Sequence, residues 1–137
     1  MEEALRRAEE MLRTQALVLE SMAEGVQIAR EDRIILSTNP ASDSIFGYTR
    51  GELLGQHVSV LNDPPEEAAH ITEHIIAELK AHGSRHGEVR NRKKDGTPFW
   101  TSAHVSTLQK VGEKYWITVQ QDITARKRAE EELSESE

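Results

Sequence analysis

The chain contains no cysteine among its 137 residues. Disulfides, thiolate metal ligands and cysteine nucleophiles are therefore excluded. It also lacks any apolar run near the roughly 20 residues that a membrane-spanning helix needs, and its acidic N-terminus does not resemble a signal peptide. We therefore expect no membrane partner, and we expect the cytoplasm as the compartment.

An excess of basic residues is also missing, because 17 lysines and arginines stand against 24 acids, a formal net charge of −7. Nucleic acids require a basic stripe that displaces counterions from phosphates, and anionic membrane surfaces attract basic segments. Neither partner is expected. Residues 1–24 carry six acids and three bases, and residues 125–137 carry five and three. These flanking segments are typical of solvated helices around a nearly neutral domain.

Common catalytic signatures are absent as well: there is no G-x-S-x-G elbow, no Gly-rich phosphate loop and no kinase motif. His70, Glu73 and His74 fit the H-x-x-E-H pattern of inverted zinc proteases, in which two imidazoles bind zinc and the carboxylate activates water. Such enzymes need a third ligand and a substrate cleft, so a zinc hydrolase is a remote alternative. The main expectation is a piece of a longer signalling protein without a catalytic domain of its own.

What is present begins with a helical segment at the N-terminus. Residues 2–22 contain no glycine or proline and are mostly strong helix formers. A short heptad pattern runs through this segment. Its first set of positions, seven residues apart, is Leu5, Leu12 and Leu19, and its second set, three residues after each of these, is Ala8, Gln15 and Met22. This predicts an amphipathic helix over residues 1–24 that pairs with a second copy in a homodimer. The alternative is a helix that lies on its own domain.

The remaining sequence predicts one domain of two strands, several helices and three more strands, followed by an exit helix. The strands are expected at 26–29, 34–37, 88–92, 99–108 and 115–123, and the longest core helix at 66–81. Asn39 is a suitable N-cap before Pro40, Gly83 ends the long helix, and Asp95-Gly96 predicts a hairpin. The fold class is therefore α+β, an antiparallel sheet with helices on one face over residues 25–124 and a linker helix over 125–137.

Three segments in order resemble the PAS domain family, over about residues 20–124. The first is residues 39–55, with Asn39-Pro40-Ala41, Phe46-Gly47-Tyr48 and Glu52-Leu53-Leu54-Gly55; the second is residues 87–100 around Asp95-Gly96; the third is residues 121–127 around Asp122-Ile123-Thr124. The family fold is a five-stranded antiparallel sheet that cradles a pocket under several helices. This agrees with the order of elements read from the residues.

The resemblance implies a sensory module of a histidine kinase or a cyclic-dinucleotide enzyme, with an effector domain downstream. Asp122 and Thr124 stand where the last strand becomes a helix, and their oxygens can cap exposed N–H groups there. In the family these residues are thought to couple the sheet to the outgoing helix, so we expect a signal relay at this point. The alternative function is a dimerisation or protein-interaction module with no ligand.

The light-sensing LOV type of PAS domain binds flavin through a motif whose reactive cysteine is Val58 here, so flavin–thiol photochemistry is not implied. Asn91 and Gln120 stand where LOV domains hold the flavin ring with amides, and Thr101 replaces a further asparagine. These three residues are the candidate cofactor contacts. The alternative is that they are polar members of half-exposed strands.

Haem is the other cofactor that the resemblance raises, because His70 stands near the position that haem-binding PAS domains use for the iron. We expect His70 to bind a metal only if haem is present. A pocket that is empty, filled with solvent or occupied by a small unidentified ligand is the main expectation, flavin is the next and haem the last.

The two faces of the last strand give conflicting predictions. Hydrophobicity alone predicts that Tyr115, Ile117 and Val119 are buried. The resemblance instead directs the opposite face, which includes Trp116 and Gln120, toward the pocket. Both would hold if the N-terminal helix or a second subunit covered the outer face of the sheet.

Overall fold

The computed structural model describes residues 2–136. Met1 and Glu137, the outermost residues of the predicted terminal segments, lie outside the described residues. The helices within this range are α1 (Glu2–Ser21), α2 (Pro40–Phe46), α3 (Ala68–His82) and α4 (Thr124–Ser136). The strands are β1 (Gly25–Arg30), β2 (Ile35–Thr38), β3 (Ser84–Arg92), β4 (Pro98–Lys110) and β5 (Glu113–Asp122).

The five strands form one antiparallel sheet in the order β2-β1-β5-β4-β3. The last three strands form a meander, and β1 pairs with β5, so the first and last strands of the domain lie side by side at the centre. Helices α2 and α3 pack near the inner face. The predicted α+β fold with a five-stranded antiparallel sheet is confirmed.

Most predicted boundaries shift by one or two residues, and the starts of α3 and β3 show how the structure differs. The long helix begins at Ala68 instead of residue 66, because Pro65–Glu67 forms a separate 3-10 turn. Strand β3 begins at Ser84, four residues earlier than predicted. Its first residues pair with the far end of β4, Ser84 with Ser106, and such long-range pairing leaves no local pattern in the sequence.

The predicted turn and cap residues act as expected. The Asn39 side chain accepts a hydrogen bond from the N–H of Ser42 at 3.0 Å and one from Val26 at 2.8 Å, so it caps α2 and ties it to β1. Gly83 has φ +77° and ends α3 in the left-handed conformation that glycine favours. Gly25 allows α2 to approach the sheet, since a Cβ there would lie 2.9 Å from the Cα of Ser42.

Helix α1 extends from the domain and buries none of its described residues. The heptad positions of α1 named above form its predicted pairing surface, or seam. Leu12 is 66% exposed and Leu5 is 61% exposed, so this seam is not covered by the domain of the same chain. Its C-terminal end is held by Asn39, whose Nδ2 donates to the carbonyls of Leu19 and Glu24, each at 3.0 Å. Within residues 2–136, no helix has the combined length and apolarity that crossing a membrane requires.

The core consists of two apolar clusters on the inner side of the sheet. The first contains Phe46 and Phe99, whose rings meet edge to face with centroids 5.3 Å apart, together with Ile35, Leu53 and Leu61. The second lies beneath α3 and contains Ala29, Leu79, Val105 and Trp116. Each large apolar side chain buried here contributes about 1.5–3 kcal/mol. The second cluster, through Leu79, holds α3 on the sheet.

On β5 the prediction from hydrophobicity alone is wrong. Trp116 and Gln120 are buried on the inner face, whereas Tyr115, Ile117 and Val119 are half-exposed on the outer face. The sheet is open on its outer side in the single chain, so apolar character there does not produce burial. The polar inner residue is tolerated because it finds hydrogen-bond partners.

Candidate functional site

A cavity of about 70 Å³ lies between the inner face of the sheet and α3. Its apolar lining is Ala29, Val58, Leu61, Ile71, Ile75, Val89, Ala103, Val105 and Trp116, and its polar lining is Gln27, Asn62, Thr72, Asn91, Thr118 and Gln120. None of the lining residues carries a formal charge. Because an unpaired charge is costly to bury, this lining suits a neutral ligand.

The structure brings the three predicted cofactor-contact residues together as one hydrogen-bonded cluster beside this cavity. The Thr101 hydroxyl donates to Asn91 Oδ1 at 2.6 Å, and Gln120 Nε2 donates to the Thr101 hydroxyl at 3.1 Å. Asn91 Nδ2 donates to the carbonyl of Leu61 at 3.0 Å. Asn91 and Gln120 line the cavity. Thr101 is fully buried, does not line the cavity, and connects the other two through its hydroxyl.

Strand register explains why these distant positions meet. Gln120 pairs with Ala103, Thr101 pairs with Asp122, and Asn91 pairs with Phe99. The three side chains therefore point from the same face of three adjacent strands. Since most of their polar atoms are satisfied within the cluster, the burial cost is offset, and loss of one partner would leave the others unpaired.

Four polar residues of the cavity lining were not predicted as site residues from the sequence: Gln27, Asn62, Thr72 and Thr118. Asn62 follows the 3-10 turn Val58–Leu61, and its Oδ1 is buried without a hydrogen-bond donor. Gln27 lies on β1 and donates to the hydroxyl of Ser42 at 3.1 Å. The available signal for Gln27 was the alternation of β1, which places it on the same face as Ala29. Asn62 gave no local signal, because its position depends on a bridge to Asn91.

The predicted relay residues lie in contact with each other where β5 ends. Asp122 Oδ1 accepts from the N–H of Thr124 at 3.0 Å and from its hydroxyl at 2.7 Å. The Thr124 hydroxyl oxygen also accepts from the N–H of Trp100 at 3.4 Å, and the N–H of Ile123 donates to the Trp100 carbonyl at 3.0 Å. The start of α4 is thus bonded to β4 without an intervening loop.

A second connection to the exit helix, through Glu88 of β3, was also missed. Its carboxylate forms ion pairs with Arg126 and with Lys127, the latter at 2.7 Å. The hydrogen bond from Lys127, with the nearby charges of Lys127 and Arg126, lowers the pKa of Glu88 below its ordinary value. Lys127 also lies 4.7 Å over the ring of Trp100. Glu88 lies inside the segment that carries the family resemblance, but its partners are far along the chain.

The structure places His70, Glu73 and His74 on the exposed side of α3. None of them lines the cavity, and His70 and His74 instead line a groove outside it. Among residues 2–136 no three His, Asp or Glu side chains are grouped so that they could hold a metal ion. This arrangement does not favour a zinc hydrolase, and it does not bring His70 to the cavity where a haem would have to lie.

The sequence and the fold match known proteins. The model of the PAS domain family matches residues 23–125. A blue-light-activated histidine kinase of Brucella anthropi is 32% identical over 95 residues, which cover 68% of this chain and 19% of that protein. The sensor histidine kinase TmoS of Ectopseudomonas mendocina is 29% identical over 121 residues, which cover 86% and 12%. The chain therefore spans less than one fifth of the length of each of these two curated relatives.

Solved structures agree. The PAS domain of a protein from Colwellia psychrerythraea superposes with a TM-score of 0.78 and 23% identity, covering 84% of this chain and 98% of that one. The PAS domain of a LuxR-family transcriptional regulator from Burkholderia thailandensis, solved in complex with ethanol, gives a TM-score of 0.69 and 24% identity, with coverages of 79% and 96%. The family model covers residues 23–125, and the strand order and the cavity under α3 agree with it. This chain therefore belongs to the PAS domain family.

Proposed function

We propose that this chain is the sensory PAS module of a signalling protein of the histidine kinase type. A small ligand or a partner alters the region around the cavity, and the alteration reaches the exit helix α4. The observation that carries the proposal is the position of β4. Its residue Thr101 belongs to the cluster beside the cavity, and the adjacent Trp100 is hydrogen-bonded to Ile123 and Thr124.

The ligand that suits the cavity is small and neutral. A volume of 70 Å³ corresponds to about five water molecules on a scale where one needs roughly 10–15 Å³. Flavin and haem do not fit this space unless α3 moves away from the sheet. The Asn62 Oδ1, buried without a donor, favours a ligand with an O–H or N–H group. A related PAS domain holds ethanol, a molecule of this size and chemistry.

We propose that the protein forms a homodimer through α1, because signalling through α4 requires two copies and the apolar seam of α1 is exposed in the single chain. Leu5, Leu12 and Leu19 leave apolar surface in water, whereas pairing with a second α1 would remove it. The base of α1 shares a groove with Val26 and Ile28 of β1. These two residues pair with Val119 and Ile117, which are half-exposed on β5. In a dimer, movement of β5 can become a rotation of two adjacent α4 helices.

The second candidate function is a dimerisation or interaction module that has no ligand. It is favoured by the small cavity volume and by the exposed apolar side chains of α1. An absorption spectrum of the purified protein provides the first test. Bands of flavin or haem would contradict the small neutral ligand, and a bare protein spectrum is the expected result.

The decisive test fills the cavity in a chimera in which residues 1–137 precede a histidine kinase core. Ala103→Val adds two methyl groups to the inner face, where Ala103 lines the cavity. Ser102→Val changes the neighbouring, half-exposed position on the outer face. We expect autophosphorylation to change with Ala103→Val and to stay at the parent rate with Ser102→Val. Equal rates in all three proteins would contradict a relay from the cavity and leave the interaction module.

A further inference from the structure

A groove of about 360 Å³ lies between α3 and the edge strand β3, on the outside of the cavity. Its charged or titratable lining consists of Asp63, His70, His74, Arg85 and Arg90. The protein as a whole has a formal charge of −7. The cluster has two arginines and two histidines around one carboxylate, so its charge is opposite in sign to the net charge of the protein.

Only part of this positive charge is neutralised within the described residues. Arg90 Nε lies 2.6 Å from Asp63 Oδ2, so these two groups form an ion pair. Arg85 forms no ion pair with any described acid, and its Nη1 is buried without a hydrogen-bond acceptor. A buried, charged donor that lacks an acceptor is costly. Arg85 lines the groove, so an anion bound there would supply acceptors to its guanidinium.

The remaining walls of the groove are apolar or aromatic. Ile71 of α3, Val89 of β3 and Trp100 of β4 contact the same space as Arg85. A bound molecule would thus meet one unmatched guanidinium beside a hydrophobic surface. One net positive charge matches a monoanion, and the planar guanidinium fork matches the two oxygens of a carboxylate.

We propose that this groove binds a small organic carboxylate with an apolar body. Arg85 donates to the carboxylate oxygens, His70 and His74 lie one turn apart on the open side where they can donate further hydrogen bonds, and Trp100 contacts the apolar body. The site is separate from the cavity of the proposed function. Ile71 and Val89 form a common wall between the two, and the cavity lining has no charged residue.

Occupancy of the groove would be felt at the exit helix, because Trp100 lines the groove and bonds Ile123 and Thr124 through its backbone. The groove is therefore a second input to α4. It would distinguish charged molecules from the neutral molecules that suit the cavity.

The chain has two tryptophans, one at each site, and their indole N–H signals in ¹H–¹⁵N spectra of residues 1–137 report the two sites separately. We would titrate the protein with benzoate and, as a neutral isostere, benzamide, after assigning Trp100 with Trp100→Phe. We expect benzoate to shift Trp100 in a saturable manner with little change at Trp116, and benzamide to bind far more weakly. Equal binding of benzamide, a saturable shift confined to Trp116, or tighter binding of inorganic phosphate than of benzoate would overturn the proposal.

Arg85→Gln should weaken benzoate binding by about tenfold or more, as expected for loss of a hydrogen bond to a charged group. Arg30→Gln makes the same change of charge on β1, outside this groove, and should leave the affinity unchanged. Unaltered binding by Arg85→Gln, or an equal loss in both variants, would overturn the assignment. If Arg85→Gln does not fold, Asp63→Asn provides the test. It removes the groove's acid and frees Arg90, so it should tighten benzoate binding, and an unchanged affinity would count against the site.

Discussion

The hydroxyl of Thr124 accepts a hydrogen bond from the backbone N–H of Trp100, 24 positions earlier in the chain, at 3.4 Å. It donates in turn to Asp122 Oδ1 at 2.7 Å. One hydroxyl therefore connects the end of β5, the beginning of β4 and the first residue of α4. Any movement of β4 relative to β5 has to strain or break one of these two hydrogen bonds.

Thr124→Val removes this hydroxyl with little change of side-chain shape. Since each net hydrogen bond contributes about 0.5–1.5 kcal/mol, we expect amide exchange in the first turn of α4 to become about five- to tenfold faster. Kinase output of the chimera should then cease to respond to Ala103→Val. Hydrogen exchange by mass spectrometry and an autophosphorylation assay provide the two measurements.

Thr107→Val on β4 is the matched control. Thr107 is half-buried and makes no side-chain hydrogen bond among the described residues, so neither exchange in α4 nor signalling should change. A chimera that still responds normally with Thr124→Val would show that this hydroxyl does not couple the sheet to the helix.

Thr101→Val tests the buried cluster beside the cavity. The substitution keeps the shape but leaves Asn91 Oδ1 and Gln120 Nε2 without their shorter partner. We expect a loss of about 1–3 kcal/mol in the free energy of unfolding, the usual cost of unsatisfied buried groups. Urea denaturation should show a lower midpoint with an unchanged m-value. Thr118→Val, at a cavity position without a side-chain hydrogen bond among the described residues, should cost much less; a comparable loss in both would contradict the special role of the cluster.

Leu12→Gln tests the dimer through α1. Leu12 lies in the predicted seam and is 66% exposed in the single chain, whereas Leu17 is similarly exposed, at 63%, but lies outside the seam. The dimer should weaken by about tenfold or more with Leu12→Gln, since burial of a leucine contributes about 1.5–3 kcal/mol on each helix. Leu17→Gln should have little effect. Sedimentation equilibrium measures both, and deletion of residues 1–20 should yield a monomer; a dimer that survives the deletion would place the interface elsewhere.

Glu52 should make part of the stability depend on acid pH. The hydrogen bond from Lys94, followed by that from the Thr49 backbone, lowers the pKa of Glu52 from 4.5 to about 2 in the folded protein. Between these values the unfolded state binds more protons, so stability rises with pH. The contribution is fully present above pH 4.5 and is lost as the pH falls toward about 2.

Glu52→Gln should therefore flatten the pH dependence of the urea midpoint between about pH 4.5 and pH 2, the range that lies between the unfolded and folded pKa values of this carboxyl. Glu31→Gln is the control, because Glu31 is exposed and forms no ion pair among the described residues. A pH profile for Glu52→Gln that matches the parent's would contradict a stabilising role for the Glu52–Lys94 pair.

Local sequence signals predicted the elements but not the partners of each residue. The cap that Asn39 forms on Ser42, the helix end at Gly83 and the turn at Asp95-Gly96 act within a few positions, so these roles could be read directly. The resemblance identified Asn91, Thr101 and Gln120 as a group. That they bond one another depends on the register of three strands, and no local pattern encodes register. Hydrophobicity misassigned the faces of β5 because it does not show whether the outer face is covered.

By itself, the amino-acid sequence determined the order of helices and strands, the caps and turns, and the heptad pattern of α1, because these depend on interactions between near neighbours. Only the tertiary structure decided that Glu88 binds Arg126 and Lys127, that Asn62 faces the cavity, and that Arg85 lacks an acceptor in the groove beside α3. The physical reason is that burial and pairing of polar groups depend on which distant segments pack together.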